Sequence, residues 1–433
     1  MSSLLGTRER PKATSSRFLS LEVYMLQRQT SGKSMLIAST LALFSSFQVL
    51  ADDGRGLLRH GDPNDVTISG VSSGAAMAVQ YAVAHSGSIS GVGSIAGPAW
   101  GCAQGSLANA VNQCMCGRSH FDVPGIQQAA AFLKAKAGDL EHLGAIDPFA
   151  SGKPRALTHS YVFQSPADPT VVMQSGQVSA RFLKEFIGSD PVLDTGDSAE
   201  SSDGAGHGII APDPGNESCA ATGQERTFVR YCGNEDNAGK LFHALYGNGR
   251  AFDPSRRMSV PDNEVWRFSQ QPHISNVRSE IHIIAADSWF FFFPWKTERR
   301  KNFDMADDGY LYVPPSCRPS TSHCRVHVAL HGCRQNAEQF ARRAGYNNWA
   351  DYYNVIVVYP AIEPSGKPFE AEVCSLSAVP STADDLMTKE NRNGCWDWWG
   401  YLDIATGWPN RYLTQQAPQM RVIENIIRAV TAR

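Results

Sequence analysis

Three side chains in this 433-residue sequence have the types and settings that acyl-transfer chemistry uses. Ser72 is the middle residue of Gly70-Val71-Ser72-Ser73-Gly74. A short β-branched run, Val66-Thr67-Ile68-Ser69, leads into it, and a small-residue helical pattern leads out. Strand, tight turn and helix around G-x-S-x-G lift one serine oxygen clear of a sheet, where it can act as a nucleophile. Gly70 and Gly74 carry no Cβ, so the chain can turn sharply and strand can pack against helix. Asp168 lies in Ser165-Pro166-Ala167-Asp168-Pro169, directly after the strand-like residues 160–164. An Asp in that setting can orient a histidine; read alone, it is equally a turn residue before proline. His207 sits in Gly204-Ala205-Gly206-His207-Gly208, a loop that can approach a hydroxyl without hindrance. The predicted nucleophile, acid and base are Ser72, Asp168 and His207.

The elements that must carry these residues read as α/β. Helices are predicted over residues 77–85, 126–140 and 170–187, with a buried strand over 91–97. The stretch with Trp100, Cys102, Cys114 and Cys116 reads as a stapled surface lid. His243, in a helical segment over 238–246, reads as structural. Strands follow over 309–314, 325–330 and 355–360. Between the last two lie His331-Gly332-Cys333 and a helical stretch with Phe340, Ala344 and Trp349. Residues 419–432 close the chain as an amphipathic helix, with Pro418 at its start, where a missing N–H costs nothing.

Serine, acid, histidine is the chain order of the α/β-hydrolases. Strand, His-Gly loop, helix and strand is how the oxyanion half of such a fold begins. That half normally precedes the nucleophile turn, and here it follows His207. Circular permutation reconciles the order, because domain termini lie close together and moving the cut point leaves the sheet intact. The expected fold is therefore a circularly permuted α/β-hydrolase, a mostly parallel sheet with helices on both faces.

Composition narrows the function. The chain is 42% hydrophobic and 19% charged, an ordinary globular balance. A formal net charge of −3 gives no general basic field and no reason to expect nucleic acid. Residues 35–50 are apolar, Lys33 precedes them, and Val49-Leu50-Ala51 suits signal cleavage after Ala51. The run is short for a stable membrane anchor. Residues 1–51 are thus expected as a removed leader and 52–433 as one catalytic domain. All ten Cys lie beyond that site, which argues for disulfides in an oxidising compartment, either periplasmic or extracellular. Proximity pairs Cys317 with Cys324 and Cys219 with Cys232; other connectivities stay open. The spacing of Cys114 and Cys116 is wrong for a zinc knuckle, and no metal or organic cofactor is expected.

Two aromatic clusters remain. Residues 289–295, Trp-Phe-Phe-Phe-Phe-Pro-Trp, precede a basic stretch that ends at Lys301. They read as a buried strand or as an exposed patch for a water-insoluble surface. Trp396, Trp398 and Trp399 read as stacked core or as a ligand-facing wall.

Gly70-Val71-Ser72-Ser73-Gly74, Leu330-His331-Gly332-Cys333-Arg334-Gln335 and Cys395-Trp396-Asp397-Trp398-Trp399-Gly400-Tyr401 occur in that order. The ordered set resembles the poly(3-hydroxybutyrate) depolymerases with a permuted, second-type catalytic domain, over roughly residues 60–430. The resemblance implies cleavage of polyester bonds, with Ser72, Asp168 and His207 as the triad. It implies an oxyanion hole from the backbone N–H groups of Ser73 and Cys333. It also implies a Cys333–Cys395 disulfide that pins Trp396, Trp398 and Trp399 beside the site as substrate-binding residues. The sequence ends soon after this domain, without a Thr-rich linker or separate substrate-binding module, and it carries the stretch 289–301. Both departures turn the expectation toward soluble oligomers or amorphous polymer. The competing expectations are a secreted feruloyl or acetyl esterase and a non-enzymatic surface-binding module on a decayed hydrolase.

Overall fold

The computed structural model describes residues 61–431, apart from 118–122, 150–155, 197–203, 221–225, 278–301, 320, 366–373, 375–390 and 407–410. The expected leader (1–51) and the aromatic–basic stretch (289–301) lie outside the described residues.

The elbow strand β1 (Gly61–Val71) is central. Among the described residues eight strands form one sheet, in the order β4-β3-β2-β1-β10-β11-β9-β8. On one side of β1 stand β2 (Ile89–Ile95), β3 (His159–Phe163) and β4 (Val192–Asp194), all parallel. On the other side stand β10 (Cys324–Leu330) and β11 (Val355–Tyr359), also parallel. The sheet ends in antiparallel β9 (Asp308–Tyr312) and β8 (Val265–Ser269). A small second sheet holds β5 (Ile209–Ile210), β6 (Glu217–Ser218) and β7 (Val229–Tyr231). The late strands thus flank the elbow strand, as the permuted order requires. Gly70 pairs with Leu330 on one side and with Ser94 on the other.

Alternation in the central strands sends side chains into two separate cores. Ile68, Val328 and Val358 enter one, while Val71, Ala329 and Val357 enter the other. The first is covered by α1 (Ser73–Ala84) and by the closing helix, Pro418–Thr431. The second is covered by helices Asn237–Tyr246 and Tyr346–Tyr353. Burial on both faces explains the near-continuous apolar reading of β10 and β11, which is usual for parallel strands.

Two expectations change. The Cys-rich stretch is stapled, by Cys102–Cys114 and by Cys116–Cys374, but it is no surface lid. Trp100, Ala103 and Cys114 are fully buried, and Trp100 stacks on Phe182 at 5.2 Å. Apolar residues inside a loop of small residues pull it into the core. The strand Val265–Ser269 was not expected; its two buried residues, Val265 and Phe268, enter opposite cores, so it shows no simple alternation. The remaining disulfides are Cys219–Cys232, Cys317–Cys324 and Cys333–Cys395. No described helix is long and apolar enough to cross a membrane.

Candidate active site

The site begins at the C-terminal end of β1, the edge where open α/β sheets bind ligands. Ser72 follows the strand directly and caps α1 with φ 57° and ψ −119°. A non-glycine residue tolerates that conformation only where its surroundings fix it. The Ser72 N–H donates to the Ile95 carbonyl at 2.9 Å, and the Ser72 carbonyl accepts from Ala76 N–H at 3.1 Å. Both elbow glycines are needed. A Cβ on Gly70 would overlap the Gly74 carbonyl, and a Cβ on Gly74 would overlap the carbonyl oxygens of Leu330 and His331.

Asp168 follows β3 and His207 precedes β5, so the pair is carried by elements other than β1. His207 Nδ1 donates to Asp168 Oδ2 at 2.8 Å, with both side chains buried. Three more donors reach the same carboxyl group. Thr170 N–H and Val171 N–H bond Oδ1 at 2.8 and 2.9 Å, and Gln164 Nε2 bonds Oδ2 at 3.2 Å. With Nδ1 donating, the neutral imidazole leaves Nε2 as its acceptor, the atom a general base needs. The backbone of His207 is fixed too: buried Arg230 donates from Nε to the His207 carbonyl at 2.7 Å. The Ser72 hydroxyl makes no hydrogen bond to His207 among the described residues. Such contacts commonly close only around bound substrate.

The loop His331–Gln335 stands on the other side of Ser72. A Cβ on Gly332 would lie 3.1 Å from the Ser72 Cβ and 3.0 Å from the Val71 carbonyl, so the loop touches the elbow backbone. Ser73 opens α1, where the first N–H groups of a helix have no intrahelical partner and favour negative charge. The Cys333 N–H belongs to the residue after Gly332. Several groups hold this loop in place. The Cys333–Cys395 disulfide ties it to the Trp cluster. Trp396 Nε1 donates to the His331 carbonyl at 2.9 Å. His331 Nε2 accepts from Ile362 N–H at 3.1 Å, which leaves Nδ1–H to donate to the Gly332 carbonyl at 2.9 Å. Burial pushes the His331 imidazole down to about 4, so it stays neutral.

Trp396 therefore supports the loop. It is fully buried, and its one polar side-chain atom is spent on the backbone. Trp398 and Trp399 are buried as well and stack edge to face at 5.6 Å. All three rings belong to the core cluster that also holds Ile68 and Leu330.

Two residues with no role assigned from sequence join the halves of the site. Gln335 accepts from the Gly332 N–H through Oε1 and donates from Nε2 to the Thr227 carbonyl at 2.6 Å. Phe228, next in the chain, lies edge-on to the His207 ring with centroids 6.0 Å apart. The loop beside Ser72 is thus fastened to the segment beside His207. Only the Gln within the His-Gly-Cys-Arg-Gln run hinted at this in the sequence.

Comparison with known proteins finds likenesses over most of the chain. Residues 309–374 match the family model described as esterase PHB depolymerase. The chain is 30% identical over 379 residues to a poly(3-hydroxybutyrate) depolymerase of Delftia acidovorans, covering 86% of this chain and 60% of that protein. It therefore spans less than two thirds of that relative's length. It is 29% identical to a polyhydroxybutyrate depolymerase of Talaromyces funiculosus, covering 78% of this chain and 83% of that one. Solved structures of PHB depolymerase, one from Penicillium funiculosum and one complexed with an R3HB trimer, share the fold. Each has a TM-score of 0.56 and 24% identity, and covers 86% of this chain and 97% of its own. A nucleophile turn flanked by early and late strands, with sequence likeness over most of the chain, makes this chain similar to the PHB depolymerases and to the esterase family model that describes them.

Proposed function

We propose that this chain is a serine esterase that hydrolyses poly(3-hydroxybutyrate) or its oligomers through an acyl-enzyme. The observation that carries the reading is the buried His207–Asp168 pair, at 2.8 Å, in the same fold as a strained Ser72 at the end of β1. His207 Nε2 takes the Ser72 proton as Oγ bonds to the ester carbonyl carbon. The tetrahedral oxygen that forms is negative, and the N–H groups of Ser73 and Cys333 stabilise it. Losing one such donor costs about 3–4 kcal/mol of barrier in enzymes of this type. The intermediate collapses as the C–O bond breaks, and His207 gives its proton to the leaving alcohol oxygen. Asp168 keeps the imidazole in the required tautomer and stabilises the imidazolium. Water, activated by the same His207, then releases the acid and restores Ser72.

The chain acts outside the cytoplasm in this reading, and its five disulfides support that. The test is clearing of an amorphous poly(3-hydroxybutyrate) suspension with release of soluble 3-hydroxybutyrate, run beside release of ferulate from a feruloylated saccharide. Clearing by wild type and none by Ser72→Ala is expected. Ferulate release without clearing would replace the polyester with a plant-polysaccharide ester.

A further inference from the structure

Arg334 carries an exposed guanidinium beside the proposed site. It follows Cys333, the proposed oxyanion donor, and its side chain is exposed. Among the described residues no carboxylate pairs with it. Its guanidinium carbon lies over the Phe228 ring, 5.8 Å from the centroid. That ring in turn faces His207. Both residues hold backbones that side chains rarely adopt, with φ 63° at Arg334 and φ 50° at Phe228. Each is fixed by its surroundings. The Arg334 N–H donates to the Asn393 carbonyl at 2.7 Å. The Phe228 N–H donates to Glu217, whose carboxylate also accepts from Arg226 and Thr227 N–H and is thereby spent on that turn. Strain of this kind persists where surroundings over-determine it and gathers at functional sites.

The chemistry of the leaving group gives this cation a task. In hydrolysis of a 3-hydroxyalkanoate ester, the acyl half stays on Ser72 and the alcohol half leaves. The alcohol oxygen collects its proton from His207, so the leaving unit lies on the His207 side. When the scissile bond is the last of an oligomer, that leaving unit carries a free carboxylate a few bonds beyond the alcohol oxygen. On the same side stand Phe228 and, over its ring, Arg334. A guanidinium resting on an aromatic ring keeps its N–H edge free for a carboxylate.

Building on the esterase reading above, we propose that Arg334 forms a carboxylate-binding subsite for the leaving unit, directing cleavage to the acid terminus of hydroxyacyl oligomers. The subsite discriminates a free acid end from an esterified end. It adds an end-directed component to a reaction whose triad alone is indifferent to chain position.

The test compares kcat/KM for the linear trimer of (R)-3-hydroxybutyrate as free acid and as methyl ester, within each enzyme. Wild type prefers the free acid, and Arg334→Gln reduces the acid-to-ester ratio about fivefold, the scale of an exposed ion pair. Arg334→Lys retains part of the ratio. In wild type the ratio also falls as salt is raised, because an exposed charge pair is screened. The wild-type salt series needs no variant to fold. A ratio equal in wild type and Arg334→Gln, or one unaffected by salt, overturns the subsite and leaves the esterase reading standing. Hydrolysis of neither trimer, with a short p-nitrophenyl ester still turned over, overturns the polyester reading and this subsite with it.

Discussion

His207 Nδ1 and Asp168 Oδ2 stand 2.8 Å apart, and the aspartate accepts three further hydrogen bonds, from Gln164, Thr170 and Val171. Every partner of that carboxyl group donates, so an amide at position 168 must turn a donor toward at least one of them. Asp168→Asn leaves His207 able to hold its proton on the wrong nitrogen. A loss in kcat of about a thousandfold to ten-thousandfold is expected, with little change in KM, as for other triads altered this way. Steady-state kinetics on a soluble ester measures it.

Gln335 bridges the Gly332 N–H and the Thr227 carbonyl, and so spans the two halves of the site. Gln335→Ala leaves both groups without their partner. The expected result is a fall in kcat of about tenfold at nearly constant KM, because the loss concerns donor placement in the transition state. Gln335→Glu can still accept from Gly332 but cannot donate to Thr227, and it should fall between Ala and wild type.

Gly74 has no room for a side chain. Its Cβ would overlap two carbonyl oxygens at the end of β10, and backbone cannot swing aside as a side chain can. Gly74→Ala is expected to destabilise the fold by about 1–3 kcal/mol, the usual scale for overpacking. A lower urea midpoint with an unchanged slope would show it.

The Cys333–Cys395 bridge anchors the loop beside Ser72 to the Trp396 segment. Cys395→Ser is expected to lower kcat on short esters about tenfold or more while circular dichroism stays native, since the strands flanking β1 do not depend on it. Equal activity in the variant would mean that hydrogen bonds from Trp396 and His331 suffice to place the loop.

His331 links the loop to Ile362 and is held near 4 by burial, against an ordinary value of 6.5. A lowered histidine contributes stability that is complete above the unfolded value and lost as pH falls through the folded one. The stability advantage of wild type over His331→Asn should therefore shrink as pH falls from about 6.5 to about 4, by ~3 kcal/mol at most. Urea unfolding at several pH values measures the difference.

Much of this architecture was legible where chemistry and backbone demands coincide. The elbow needs glycine before and after its serine, so strand, turn and helix appear in the letters themselves. The stretch around His207 was readable as a loop from its glycines. The late strands were readable as strands, and only permutation could seat them beside β1. Features that depend on contacts far apart in the chain were not legible. Cys116 and Cys374 give no local sign of pairing, and Gln335 cannot be matched to Thr227 without the fold. Trp-Asp-Trp-Trp has the same composition whether it lines a groove or fills a core. Nor does that composition reveal that the Trp396 N–H is given to the His331 carbonyl.

The central claim is that Ser72 carries the acyl group. Treatment with a p-nitrophenyl alkylphosphonate, followed by peptide mass mapping, tests it most directly. One phosphonyl adduct per chain is expected, on the peptide that contains Ser72, with loss of ester hydrolysis in proportion to labelling. Labelling at another residue, or full hydrolysis by Ser72→Ala, would contradict it.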